Sequence, residues 1–178
     1  MVEKDALSGI LGPVCRRLDI SLTANKGYNS LSNMYEAGQR IADHWYERKA
    51  LPVVLYLGDH DPSGIDMTRD VYDRLLMFSG VMGLRVKRLA LNYDQIRVMN
   101  PPENPAKQTD SRYRGYVEQF GPASWELDAV EPDTLVQLVE DAVVSLRDPD
   151  HWEKAVAKEA EARKELEQLA VQYRQEHE

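Results

Sequence analysis

Val53-Val54-Leu55-Tyr56-Leu57-Gly58-Asp59-His60-Asp61-Pro62-Ser63-Gly64 is an unbroken apolar run that ends on two carboxylates spaced i and i+2. Such a run reads as a parallel strand covered on both faces, and open α/β sheets bind ligands outside the carboxyl ends of their strands. Residues two apart on an extended backbone point the same way, so Asp59 and Asp61 can converge on one hard cation while His60 faces elsewhere. Ser63 reads as the N-cap of the next helix and Asp66 as the partner that closes a capping box, which sets a positive helix end beside the acids. The same letters are also ordinary strand-to-helix turn chemistry. A second acid adds weight to the first reading. Val2-Glu3-Lys4-Asp5-Ala6-Leu7 resembles another strand end, with Glu3 just before an amphipathic helix marked by Leu7, Ile10, Leu11, Val14 and Leu18. Two acidic strand ends in one sheet suggest a shared site.

The rest of the chain fits βα units on a mostly parallel sheet of about four strands flanked by helices, an α/β fold. Ile20–Ala24 reads as a short strand leading to Asn25-Lys26-Gly27-Tyr28-Asn29-Ser30. A helix follows with Leu31, Met34, Tyr35, Ile41, Ala42 and Trp45 on one face. The helix after the acids carries Ile65, Val71, Tyr72, Leu75 and Leu76, and Leu84–Leu91 supplies a fourth strand. Residues 100–111 read as a Pro- and Asn-rich loop, a length that compact domains keep for a use. Beyond it come a short helix at Arg112–Phe120, a strand at Trp125–Val130 and a helix at Asp133–Leu146. The end, Pro149–Glu178, is a long charged helix whose thin apolar seam includes Trp152, Val156, Ala162, Leu166, Leu169 and Tyr173. That seam is suited to docking on its own domain, or to pairing two chains as a short coiled coil in a homo-oligomer. The expected division is a catalytic domain over residues 1–130 and a helical C-terminal extension over 131–178.

Composition bounds the function. The 178 residues, 43% hydrophobic, suffice for one substantial core. Cys15 is the only cysteine, which excludes a disulfide or a cysteine metal cluster within one chain. With neither a leader nor a membrane-length apolar run, a soluble cytoplasmic protein is expected. The net charge of −8 repels DNA at long range. However, Arg85, Lys87, Arg88, Arg97, Lys107, Arg112 and Arg114 lie close in sequence and read either as a basic stripe or as scattered solvated charges.

Glutamate at the end of the first strand and Asp-x-Asp at the end of the third resemble the Toprim domain of topoisomerases, primases and old-lysogenisation-type nucleases. Asp59-His60-Asp61-Pro62-Ser63-Gly64 looks most like the form found in the type IIB topoisomerase A subunit and its meiotic double-strand-break relatives. Asn100–Arg112 and Trp125–Ala129 are similar to uncharacterised phage and mobile-element Toprim proteins. The resemblance implies DNA as partner and Mg²⁺- or Mn²⁺-dependent cleavage of its phosphodiester bonds, with Glu3, Asp59 and Asp61 as catalytic and metal-binding residues and Glu3 as general acid or base. Ligand chemistry agrees, since these ions prefer oxygen donors and Mg²⁺ uses one or two carboxylates plus substrate phosphate.

In the resembling topoisomerases the nucleophilic tyrosine lies in a separate upstream winged-helix domain, so water is the expected nucleophile here. Tyr113 and Tyr116 beside Arg112 and Arg114 are in-chain substitutes, or else plain packed aromatics. Two other functional readings stand beside the nuclease. One is the Toprim part of a type IIB topoisomerase-like machine with its tyrosine elsewhere; the other is a non-catalytic DNA-binding or assembly module.

Glu126 and Asp128 repeat the i, i+2 spacing, as added metal ligands or an outer layer, or as an exposed polar strand face. Lys26, Lys107 and Arg112 are candidate phosphate-binding residues or ordinary surface charges. His44, His60, His151 and His177 lack metal-ligand spacing and read as structural or solvated. Only Met1 and Val2 precede Glu3, where the Toprim family has several more apolar positions. The first strand is therefore expected to be cut, with Glu3 poorly anchored and an N-terminal DNA-binding domain or partner subunit missing.

Overall fold

The computed structural model describes residues 1–24 and 30–177. A 3-10 turn at Asp5–Leu7 runs into α1 (Ser8–Arg17), whose inner face buries Leu11, Val14 and Cys15. The next helix, α2 (Leu31–Arg48), starts where the Ser30 side chain accepts the Asn33 N–H and stops at Lys49, whose left-handed φ of 53° turns the chain out of the helix. Then β1 (Val53–Leu57), α3 (Pro62–Ser79) and β2 (Arg85–Ala90) form a β-α-β unit. The two strands pair in parallel from Val53↔Arg85 to Leu57↔Ala90, with a slip between Tyr56 and Leu57. Parallel partners need a crossover, and α3 supplies it.

Because side chains alternate along a strand, Val54 and Tyr56 share one face of β1. That face meets α2 and α3 in a core of Met34, Ala37, Tyr56, Met67, Val71, Leu75 and Leu84, with Val54 and Val86 packed against it. Each fully buried large side chain there contributes about 1.5–3 kcal/mol relative to exposure. The apolar run read from the sequence is thus fixed in place, and its carboxyl end carries the acids.

Among the described residues the parallel sheet has two strands, where the sequence suggests about four. The expected first strand is represented by Val2, which bridges in parallel to Leu57 on one side and to Ala24 on the other. Val2 N–H donates to Thr23 O (2.9 Å), Glu3 N–H to Leu57 O (2.9 Å) and Leu57 N–H to Met1 O (3.0 Å). The ladder stops there because the backbone coils into the Asp5–Leu7 turn two residues after Glu3. Among the described residues, Ile20–Ala24 likewise shows one bridge, at Ala24.

Past β2, α4 (Tyr93–Met99) opens with a capping box between Asn92 and Gln95. The loop at 100–111 contains β3 (Asn104–Pro105), which pairs antiparallel with β4 (Ala123–Ser124) across α5 (Tyr113–Phe120). Trp125–Val130 is not the expected strand. Trp125 makes a single antiparallel bridge to His60, and Leu127–Ala129 then coil into a 3-10 turn. Two helices follow, α6 (Pro132–Leu146) and α7 (Pro149–His177).

The chain forms two compact units, Met1–Glu140 and Asp141–Glu178, so the division falls inside α6. In the second unit the Arg147 guanidinium lies 3.5 Å from the Trp152 ring centroid. No helix of the described residues is long and apolar enough to cross a membrane.

Candidate functional site

The turn from β1 into α3 holds the acids through backbone donors. Glu3 Oε2 accepts the Asp59 N–H (3.0 Å) and the Tyr56 hydroxyl (3.2 Å). The expectation of a poorly anchored Glu3 is therefore corrected: two donors fix its carboxylate against the acid turn. Gly58 permits this, since a Cβ there would lie 2.5 Å from Glu3 Oε2. Asp59 Oδ1 accepts the Leu127 N–H (2.7 Å), which draws the 3-10 turn onto the site. Asp61 Oδ1 accepts the Gly64 N–H (2.6 Å), so Asp61 itself is the N-cap of α3. Ser63, expected in that role, already sits in the first turn behind Pro62, a residue with no N–H to leave unpaired. Asp66 closes no box and instead pairs with Arg69 and Arg112.

Crowding shows in the proton affinities. Burial, and then the neighbouring Asp59 carboxylate, push Glu3 above the usual carboxylate range. Burial also raises Asp59, against the opposing pull of the Leu127 N–H and Lys4. Beneath them lies Arg88, which the sequence places in a basic stripe and the structure places inside. Its five N–H groups meet five neutral acceptors: Leu91 O, Gly64 O, Thr68 Oγ1, Gly58 O and Asp59 O. It is a fixed cation behind the acids, bonded to no carboxylate.

Gly64 is needed for that contact, because a Cβ would sit 2.3 Å from Asp59 O. Gly64→Ala is expected to push the Asp59 carbonyl off Arg88 and cost about 1–3 kcal/mol in denaturant melts. A melt unchanged from the parent would show that the turn has room to spare.

Glu126 and Asp128 do come to the site, though not from a strand face. Lys4 Nζ donates to Asp128 Oδ1 (2.7 Å) and Glu126 Oε2 (2.8 Å) and stands 3.5 Å from Asp59 Oδ1. Burial works against the Lys4 ammonium, but the hydrogen bonds to Asp128 and Glu126 hold its pKa above the usual lysine value. Among the described residues, no three His, Cys, Asp or Glu side chains form a ready-made metal cage. An open Mg²⁺ site does not require one. The donor set is all oxygen, and Glu3 Oε1, Asp59 Oδ2 and Asp61 Oδ2 have no hydrogen-bond donor among the described residues. These oxygens are of the donor type that a hard divalent ion takes, without forming a three-residue group that would hold one unaided.

His60 faces away from the acids, as its position between them predicts. It is 1% exposed, against the rings of Tyr93, Tyr116, Phe120 and Trp125. The Tyr116 hydroxyl lies near two carbonyls, His60 O (3.0 Å) and Ala123 O (2.9 Å), and can only donate to them. His60 Nδ1, 2.8 Å from the same oxygen, is then the donor, which assigns the neutral Nδ1–H tautomer. Burial, then Arg88, lower the His60 pKa to about 4.

The unfolded chain takes up this proton near pH 6.5 and the native one near 4, so the stabilising contribution is complete above pH 6.5 and is lost as pH falls toward 4. The loss amounts to about 2–4 kcal/mol. Glu3 and Asp59, shifted the other way, recover stability on protonation. Comparing metal-free parent with His60→Phe isolates the histidine. The variant is expected to lose this acid slope, and equal slopes in the two proteins would remove the assignment.

The other candidates are dispersed. Lys107 is exposed, as are Arg85, Lys87, Arg97 and Arg114. Arg112 pairs with Asp66 (3.0 Å) and Asp110 (3.4 Å). Lys26 lies outside the described residues. Tyr116 is buried with its hydroxyl in the hydrogen bonds above, which is the packed-aromatic alternative. Lys4, Tyr56 and Arg88 were missed as site residues; the usable signals were the adjacency of Lys4 to Glu3 and the place of Arg88 on the strand paired with β1. No family model, curated protein or solved structure matches the chain.

Proposed function

We propose that Met1–Glu140 is a Toprim-type α/β domain that cleaves DNA phosphodiester bonds, using Mg²⁺ or Mn²⁺ held at Glu3, Asp59 and Asp61 and water as nucleophile. The observation that carries this reading is the seating of the Glu3 carboxylate on the N–H of Asp59. It joins acids 56 residues apart in sequence at the carboxyl end of a parallel strand, where α/β sheets bind ligands. A bound divalent ion would offset the acid crowding and supply charge stabilisation at the phosphate. Glu3, shifted upward by burial and Asp59, is the group suited to hold or release a proton near the reacting oxygen. Asp59 and Asp61, each tied to a backbone donor, keep their geometry as charge develops. Arg88 sets the turn that carries them.

A second reading, a DNA-binding module without catalysis, is favoured by one observation: Lys4 already partly neutralises the acids. The topoisomerase-like reading requires a tyrosine from another domain. Incubating supercoiled plasmid with the full chain and Mg²⁺, Mn²⁺ or a chelator separates the three. Open circles with metal and none with chelator are expected. Binding without nicking would establish the module, and a covalent tyrosyl–DNA adduct the topoisomerase-like route.

A further inference from the structure

Over residues 149–175 every side chain of α7 is exposed, Leu166 at 66% and Leu169 at 60% among them. Helices in proteins owe most of their stability to the packing of an apolar face, and 29 residues is a long element to leave without that support. The face consists of Trp152, Ala155, Glu159, Ala162, Leu166 and Leu169, spaced three and four apart as the a and d positions of a heptad. Lys158 and Glu165 flank it on the g edge, Val156 and Arg163 on the e edge. Charge and size along this seam select what covers it. Two parallel copies in register would set Lys158 against Arg163 on both sides and Glu159 against Glu159, with alanine facing alanine at positions 155 and 162. Two antiparallel copies place Trp152 opposite Leu169, Ala155 opposite Leu166 and Glu159 opposite Ala162, so that each alanine meets a larger side chain. The g edges then bring Lys158 to Glu165 twice, and the aliphatic stem of Arg163 lies along Val156. Sliding one copy by a heptad either way sets Glu165 against Glu165 or Lys158 against Lys158, which is repulsive. Glu159, the polar member of the seam, accepts from Arg163 Nη2 (3.1 Å) and keeps that partner when it faces an alanine. We infer that α7 is a dimerisation helix whose occupant is α7 of a second copy, paired antiparallel in this register about a two-fold axis.

Sedimentation equilibrium of the full chain over a dilution series is expected to show a monomer–dimer equilibrium. Leu166→Glu sets a charge opposite Ala155 and is expected to give monomer at every concentration; because Leu166 is exposed in the single chain, the variant folds. Lys158→Glu turns two attractions into two repulsions and is expected to weaken the dimer about tenfold. Adding Glu165→Lys to it reverses both members of each pair and restores the parent affinity. In a parallel pair Lys158→Glu would face Arg163 and tighten the dimer, so the sign of this one change reads the orientation. A parent that stays monomeric throughout, a dimer indifferent to Leu166→Glu, a dimer tightened by Lys158→Glu, or no recovery on adding Glu165→Lys would each overturn the inference.

Discussion

Asp59→Asn and Asp61→Asn are each expected to lose metal-dependent nicking by on the order of 10²-fold or more while melting within about 1 kcal/mol of the parent. In the proposed reaction the rate loss follows from removing a charged metal ligand where several kcal/mol of charge stabilisation would arise. The small stability effect follows from the hydrogen bonds. In Asp61→Asn the amide oxygen still accepts the Gly64 N–H, and Asn caps helices as well as Asp does. In Asp59→Asn the oxygen still accepts the Leu127 N–H, and Glu3 loses a like-charged neighbour. The offsetting loss is the ionic contact of Asp59 with Lys4, the longest of that lysine's three. Asp61→Ala differs, because it removes the cap and costs about 0.5–2 kcal/mol. Plasmid nicking and urea melts on the same preparations check both halves. Parent-level nicking in both asparagine variants would remove the site from the chemistry.

The acid turn was legible because two local patterns coincide at it: an unbroken apolar strand and a helix start. Neither depends on distant residues. Their internal bonding was less legible, since Ser63 and Asp61 are both good caps and only the position of Pro62 in the first turn decides between them. The expected sheet of about four strands is not shown among the described residues, for a different reason. Val2 and Ala24 carry the apolar character of strands, yet each makes single bridges, and hydropathy cannot distinguish one bridge from a ladder. Trp125–Val130 alternates like a strand, but the Leu127 N–H goes to the Asp59 carboxylate. Long-range bonds of this kind, and the salt contacts of Lys4 with Glu126 and Asp128, leave no trace in local spacing.

Arg88→Met is expected to cost about 3–5 kcal/mol, a large share of the 5–15 kcal/mol that a domain typically has. Arg88 contributes to a strand whose Arg85 and Lys87 are exposed, and closeness in sequence groups the three as surface charge, although strand alternation sets Arg88 on the other face. Its side chain instead runs into the turn between β1 and α3, where five acceptors share its guanidinium. Methionine fills the volume of the stem but donates nothing. Gly58 O keeps the Leu91 N–H, whereas the guanidinium bonds to Asp59 O, Gly64 O, Leu91 O and Thr68 have no substitute in the methionine side chain. Each group left buried and unpaired costs about 1–3 kcal/mol, reduced by whatever water reaches it. Arg88→Lys is expected to recover only part of the loss, because an ammonium has three donors and no planar fork to span both ends of the turn. A second effect accompanies the first: without the cation, Glu3 and Asp59 are pushed further upward and bind protons or metal under greater mutual repulsion. Denaturant melts at two pH values test this. The penalty should be smaller at low pH, where the protonated acids no longer need the charge. A loss under 1 kcal/mol for Arg88→Met, or full recovery by lysine, would show that the turn holds itself without the guanidinium.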